Sequence, residues 1–497
     1  MNLMEQVPVL PVVIPMLAAP FVMIAPNGRA PWAMATVVAW ATFIACIFLL
    51  QMVSQQGVIS YALGDWAPPI GIEYRIDLAN ALVLLLVSGM AAVVFPFAYK
   101  SMQSEIDPKQ SSFFYAAFLI CLTGLLGVTI TGDAFNIFVF LEISSLSTYA
   151  LVAMGARRDR RALTAAFNYL VMGTIGATFF VIGIGLLYQT TGTLNLADLA
   201  DRISDQDNRM IDAGFAFILV GIGLKLAMFP MHLWLPNAYT YAPTAVTAFL
   251  AATATKVAVY VIIRFFYSVF GFNFEFLGAA FTWVLLPLGL AGMFIASLVA
   301  LFQEDVKRML AYSSVAQIGY MLVGLSFGTV EGVSATLVHV FNHALMKGAL
   351  FMAIGCVVLR MGSASIASFS GLAKTMPVTT WAFIISGLSL IGVPLTVGFV
   401  SKWYLLEAAF DVGQVFVGFL IVASSLIALG YVGRIAELML LREPPENAPS
   451  GTTPWSMLIP MWVLVAANVY FGLSTTLTGG VAERAAAALM SAAGGAP

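Results

Sequence analysis

Residues 224–236 read LKLAMFPMHLWLP, and this stretch decides the fold. It lies within an apolar run long enough to cross a membrane, yet it holds Lys225, Pro230, His232 and Pro236. Proline removes a backbone donor and clashes with the preceding turn, so a helix is expected to break here. In a bilayer the freed carbonyls must be satisfied by protein or water. Residues 388–403, LSLIGVPLTVGFVSKW, repeat the pattern with Gly392, Pro394, Gly398 and Lys402. Interrupted spans at corresponding positions of two halves point to a transport site built on an inverted repeat.

The composition agrees with a polytopic membrane protein. Of 497 residues, 61% are hydrophobic and 9% charged, where a soluble domain carries about 25% charged residues. Mean hydropathy is +0.96. A net charge of -2 offers no global basic field for nucleic acid. Cys46, Cys121 and Cys356 lie in apolar runs without CxxC spacing and are expected to pack. The first apolar run has no basic segment before it, so it is expected to be a span, not a cleavable signal.

A span needs about 20 mostly apolar residues. Fourteen are expected, centred near residues 16, 42, 88, 121, 143, 175, 223, 255, 288, 317, 345, 392, 425 and 465. The fold class is therefore all-α and polytopic. The interrupted spans are the seventh and twelfth, five apart. That offset fits two five-helix units of opposite topology, spans 4–8 and 9–13. On this scheme residues 1–110 hold the first three helices, 111–270 the first repeat, 274–441 the second, and 453–497 the last helix and tail. All belong to one membrane domain. Residues 194–207, LNLADLADRISDQD, are expected to lie along the surface as a short amphipathic piece.

Orientation follows from loop Lys and Arg. Loops after odd spans hold Arg29, Lys100, Lys109, Arg157, Arg158, Arg160, Arg161, Lys307, Arg308, Arg360, Lys374 and Arg442. Loops after even spans hold Arg75, Arg202 and Arg209, with Arg264 at a helix end. Twelve against four places the odd loops in the cytoplasm and both termini outside. The run ARRDRR, residues 156–161, is the strongest topology anchor.

Four lysines break the apolar spans: Lys225, Lys256, Lys347 and Lys402. Glu142, within FVFLEISSLSTYALVAMG (residues 138–155), is their clearest acidic counterpart. His339 and His343 share a span with Lys347, and His232 lies beside the first break. Ionisable groups inside a membrane are costly and mark functional sites. Burial disfavours an ammonium and a nearby carboxylate favours it, so a lysine facing a movable carboxylate can take or release a proton. Glu142 is expected to pair with Lys225. Lys256, His339, His343, Lys347 and Lys402 offer the onward groups. His339, His343 and Lys347 are spaced i, i+4, i+8 and fall on one helix face.

Each group has a competing structural reading. Glu142 would only neutralise a lysine. Lys256, with Arg264 at i+8, and Lys402 would snorkel to the interface. His232 would only satisfy carbonyls freed at the break. Asp133 and Glu407 lie nearer span ends, and Arg434 with Glu437 reads as a helix-end pair. Ser144, Ser145, Ser147 and Thr148 would line a wet path or pack helices. HVFNH lacks the acidic residue of a zinc HExxH motif and a third ligand. No metal, cofactor or catalytic residue is expected, and the chemistry implied is proton or cation movement.

The run TGDAFNIFVFLEISSLSTYALVA (131–153) resembles the fifth span of the antiporter-like subunits of respiratory complex I and of Mrp-type cation/proton antiporters. GLKLAMFPMHLWLPNAYTYAPTAVTAFLAATATK (223–256) is similar to that family's seventh and eighth spans. QEDVKRMLAYSSVAQIGYM (303–321) and HVFNHALMKGALF (339–351) resemble its tenth and eleventh, and GVPLTVGFVSKW (392–403) its broken twelfth. The segment GDWAPPIGIEYRIDLANALVLLL (64–86) resembles the D-type subunits of Mrp antiporters.

The resemblance covers nearly the whole chain. It implies fourteen helices, inverted repeats, and a membrane subunit of a multisubunit Na⁺/H⁺ antiporter with other complex subunits as partners. Glu142 and Lys225 match the family's coupling pair, Lys256 its central lysine, and His339 and His343 its connecting histidines. Lys402 matches an ionisable position that is Glu or Lys among relatives. The alternative is a proton-translocating subunit of a complex I-type oxidoreductase or membrane-bound hydrogenase.

Overall fold

The computed structural model describes residues 3–204, 208–445 and 452–494. Among them, twelve helices are long and apolar enough to cross a membrane. The chain opens with α1 (Leu10–Ile24) and α2 (Arg29–Gln56), then a hairpin of β1 (Ile59–Ala62) and β2 (Glu73–Ile76). The sequence reading did not anticipate this hairpin, because it is short and its strands carry no long alternation. Next come α3 (Leu78–Glu105), α4 (Ser111–Ile130), α5 (Ala134–Ala153) and α6 (Arg161–Thr191). Asp77 starts α3 with a reciprocal capping box to Asn80. Gly192, at φ 71°, ends α6 in the left-handed conformation that glycine adopts without strain.

The amphipathic piece forms α7 (Leu196–Ile203), with Leu196, Leu199 and Ile203 buried. Residues 205–207 of that expectation lie outside the described residues. The seventh span is broken where Pro230 predicted. It runs as α8 (Arg209–Lys225), an irregular stretch over 226–233, and α9 (Trp234–Tyr241). The following span has an offset at Thr253 between α10 (Thr244–Ala252) and α11 (Ala254–Ile263).

Glu275–Leu301 is one spanning run, made of α12 (Glu275–Ala280), α13 (Leu286–Ala291) and α14 (Ser297–Leu301) joined by π-helical turns. Then come α15 (Val306–Ser326) and α16 (Val330–Met361). The second broken span follows the short α17 (Leu372–Thr375). It is α18 (Pro377–Ile391), a gap at Gly392–Thr396, and α19 (Val397–Asp411). The chain closes with α20 (Val415–Leu441), α21 (Trp455–Leu473) and α22 (Thr478–Ala492). The last of these is an additional amphipathic helix that packs on α16 and α3.

Layering is concentric. Less than half of α1, α2 and α6 is buried, as expected of helices facing lipid, whereas most of α16 is buried. The three cysteines are buried and free.

Two contacts of the same kind occur at helix starts. Asp133 caps α5 and bridges to Asn195, the N-cap of α7. Asp305 caps α15 and bridges to Ser365. The first contact adjoins residues of a cleft formed by Arg75, Asp77, Thr131 and Arg264. The second adjoins a cleft formed by Glu105, Arg158, Asp305 and Lys307. The clefts lie at opposite ends of α3, which begins after Asp77 and ends at Glu105.

Candidate ion-translocation site

The first element is the Glu142–Lys225 pair. Lys225 is the last residue of α8, so its ammonium emerges where the helix stops. Its Nζ lies 2.9 Å from Glu142 Oε1 and donates to Ser145 Oγ at 2.8 Å. The lysine side chain is 7% exposed and the carboxylate 23%. Glu142 on α5 therefore reaches the surface of the chain while its partner does not. The serine cluster divides: Ser145 serves the pair, whereas Ser144, Ser147 and Thr148 donate to carbonyls of their own helix.

Lys256 follows the offset between α10 and α11. It is fully buried and donates to the Ala251 carbonyl and, at 3.3 Å, to Thr255 Oγ1. That burial excludes the snorkelling geometry. No hydrogen bond joins Lys225 to Lys256 among the described residues.

The second cluster is carried by α16. His339, Asn342, His343 and Lys347 are all fully buried. The two imidazoles stack, with centroids 5.9 Å apart and planes 2° apart, as the i, i+4 spacing predicts. His339 Nδ1 shares a hydrogen bond with Ser401 Oγ at 2.8 Å. Lys347 donates to the Leu310 carbonyl and to Ser313 Oγ, each at 2.9 Å. Among the described residues, both nitrogens of His343, Nε2 of His339, Oδ1 of Asn342 and Oε1 of Gln317 have no hydrogen-bond partner. Lys256, Lys347, His339 and Lys402 all lie near enough to act electrostatically on His343.

Lys402, on α19, turns back across the break. Its Nζ donates to the Leu390 and Ile391 carbonyls at 3.0 and 2.8 Å. These close α18, so the ammonium sits on the negative end of a helix dipole. It also lies 5.0 Å from the Tyr320 ring centroid, and that ring is 5.8 Å from His339. Lys402 is thus buried within the protein and does not snorkel.

His232 stands apart from both groups. It lies in the α8–α9 break, with its ring 5.3 Å from Phe229 and 6.2 Å from Tyr312, and its Nδ1 without a hydrogen-bond partner among the described residues. The expected Arg434–Glu437 pair does not form. Arg434 reaches the Leu301 carbonyl at 3.2 Å, and Glu437 pairs with Arg442. The Leu301 carbonyl, at the end of α14, offers Arg434 an exposed acceptor on the neighbouring run.

Sequence reading missed the neutral partners Ser313, Ser401 and Tyr320, which resemble any small or aromatic residue in an apolar helix. It also missed two charged pairs at the clefts. Arg264 pairs with Asp77 at 2.7 Å. Glu105 accepts from Thr244 N and Oγ1, each at 3.0 Å, and lies 3.5 Å from Arg158.

The sequence and the fold are similar to those of known membrane proteins. Residues 131–428 match the family model described as NADH:quinone oxidoreductase/Mrp antiporter, TM. The N subunit of the NADH-quinone oxidoreductase of Desulforudis audaxviator is 43% identical over 432 residues, covering 83% of this chain and 84% of that protein. The D subunit of the Na⁺/H⁺ antiporter of Bacillus subtilis is 30% identical over 485 residues, covering 97% of each. A chain in the structure of the Mrp complex from Dietzia sp. superposes with a TM-score of 0.90 at 28% identity, covering 99% of this chain and 98% of its own length. A polytopic bundle with broken helices, these buried charges and these matches lead to one assignment: the chain belongs to the NADH:quinone oxidoreductase/Mrp antiporter membrane family.

Proposed function

We propose that this protein is a membrane subunit of a multisubunit Na⁺/H⁺ antiporter and moves protons along Glu142, Lys225, Lys256, His339, His343, Lys347 and Lys402. The observation that carries the reading is the 2.9 Å Glu142–Lys225 contact at the broken end of α8. Moving the carboxylate away leaves a buried ammonium without its counter-charge, which costs about 3–5 kcal/mol and favours handing the proton on. His343, unpartnered among the described residues, lies within electrostatic reach of Lys256 and Lys347, where a proton can be received and passed. Lys402, held by the carbonyls that end α18, is the last group of the line. His232 is an accessory group at most.

Full-length similarity to a D-type antiporter subunit supports the antiporter reading. The chain then has no redox or catalytic site of its own and no cofactor. It works in the cell membrane beside other subunits, with the arginine-rich loops in the cytoplasm and both termini outside. The second reading, a proton-translocating subunit of a complex I-type oxidoreductase, is favoured by the 43% identical relative. Purification of the native complex separates the two. The antiporter reading predicts co-purifying small membrane subunits and Na⁺-dependent pH changes in vesicles. Co-purifying quinone-reductase or iron–sulfur subunits, without Na⁺-dependent exchange, would overturn it.

A further inference from the structure

Arg264 is a buried cation that the translocation line does not use. It follows Lys256 by eight residues in one helical run, with Tyr260 midway, so the three share a face. Eight residues span about 12 Å of helix. The guanidinium is held on several sides. Nη1 lies 2.7 Å from Asp77 Oδ2 and donates to Ser268 Oγ at 3.1 Å, while Nε donates to Tyr260 OH at 3.0 Å. Asp77 is itself fixed, because it accepts from Asn80 N at 3.0 Å as the cap of α3. Burial pushes the Asp77 carboxyl up, but the charge and hydrogen bond of Arg264, together with the backbone N–H groups of Asn80 and Ala79, outweigh this and hold it below the ordinary 3.8.

On one side of this pair lies a cavity of about 350 Å³, with exposed Gly57, Val58, Arg75 and Asp201 among its lining residues. It is at the end of α3 away from the 156–161 loop. On the other side lie Tyr260 and then Lys256, whose Nζ has only neutral partners. Water running from the cavity to Lys256 would let protons bypass the rest of the line.

We propose that Arg264 is an electrostatic seal: a fixed cation, locked by Asp77, that keeps protons and cations in this cavity from reaching Lys256. A guanidinium does not give up its proton, so it blocks where a lysine or histidine would relay. Positive side chains set such barriers in other membrane pores. The proposal rests on the reading that Lys256 carries protons.

The test uses the complex purified with its native partner subunits and reconstituted in phosphatidylcholine/phosphatidylglycerol vesicles. An imposed pH gradient is followed with a trapped dye in the absence of Na⁺. Wild type is expected to hold the gradient, and Arg264→Lys to lose it faster, because a lysine relays where the guanidinium blocks. Arg264→Met is expected to lose it about tenfold faster, the factor a unit charge at about 12 Å supplies near a protein surface. An Arg264→Met complex as tight as wild type would overturn the seal and leave a purely structural pair. Absence of Na⁺-driven exchange in wild type would count against the antiporter reading alone.

Removing Arg264 leaves Asp77 buried and unpaired, so thiol accessibility with the pair intact gives a second test. A membrane-impermeant maleimide on the cavity side is expected to label Ser268→Cys and to spare Thr255→Cys. Labelling of Thr255→Cys from that side, or protection of Ser268→Cys, would contradict the seal.

Discussion

Lys402 closes the α18 half-helix from the far side of its own break, with Nζ 2.8 Å from the Ile391 carbonyl. Lys225 sits at the opposite kind of position, as the residue on which α8 stops. The two breaks thus place one lysine before and one after the irregular backbone. Each uses groups that an unbroken helix would not expose.

Lys402 carries two separable roles. Lys402→Met removes both the proton carrier and the donor to two carbonyls. It is expected to lower transport at least about tenfold, and to cost roughly 1–3 kcal/mol of stability. Lys402→Arg retains charge and donors but does not relay, so it should recover stability and not transport. Antiport rates beside thermal melts of the complex check this split.

His343 offers the reverse test. Its two nitrogens are buried without hydrogen-bond partners among the described residues. Replacing an unsatisfied polar group by an apolar one of similar size is near neutral for stability. His343→Leu should therefore melt within about 2 °C of wild type, yet transport poorly. A large fall in melting temperature would show that His343 is structural.

Asp133 gives a pH-dependent prediction outside the spans. Burial pushes its carboxyl up, against the backbone hydrogen bonds of the α5 cap. Its folded value is raised, so burying the charged form opposes folding above that value and the penalty fades as pH falls through it. Asn caps as well as Asp without the charge. Asp133→Asn is expected to match or exceed wild-type stability at neutral pH and to lose that advantage in acid. Asp133→Ala loses the cap and the charge together, so its cost, about 1 kcal/mol in acid, is expected to shrink toward neutral pH. Melting curves across pH decide it.

Glu105 ties three parts of the chain together. It accepts from Ser101 Oγ at 2.7 Å and from Thr244 N at 3.0 Å, and it faces Arg158. Glu105→Ala strands the Thr244 amide and is expected to cost about 1–3 kcal/mol. Arg158→Ala should cost about 1 kcal/mol or less, because its side chain is 32% exposed. Equal losses in the two variants would mean that the ion pair, not the amide, dominates.

Much of this was legible in the sequence because membranes penalise exceptions. Pro230 in an apolar run marks a break, and Glu142 or Lys347 in such a run demands a partner or a job. The histidine stack follows from i, i+4 spacing. Ser313 and Ser401 were not legible, since serine in a membrane helix usually bonds its own backbone, as Ser144 does. Arg264 was hidden by position: near a helix end it looks like an interface anchor. Only the fold brings Asp77, far earlier in the chain, against it. The β1–β2 hairpin and α22 escaped notice because neither is long and apolar.

The central claim is that Glu142 and Lys225 work as a coupled pair in ion movement. Its most direct test is Na⁺/H⁺ exchange in vesicles holding the complete complex with Glu142→Gln or Lys225→Ala. The account predicts that each variant assembles normally and loses most exchange. Wild-type exchange in both, at normal assembly, would contradict it.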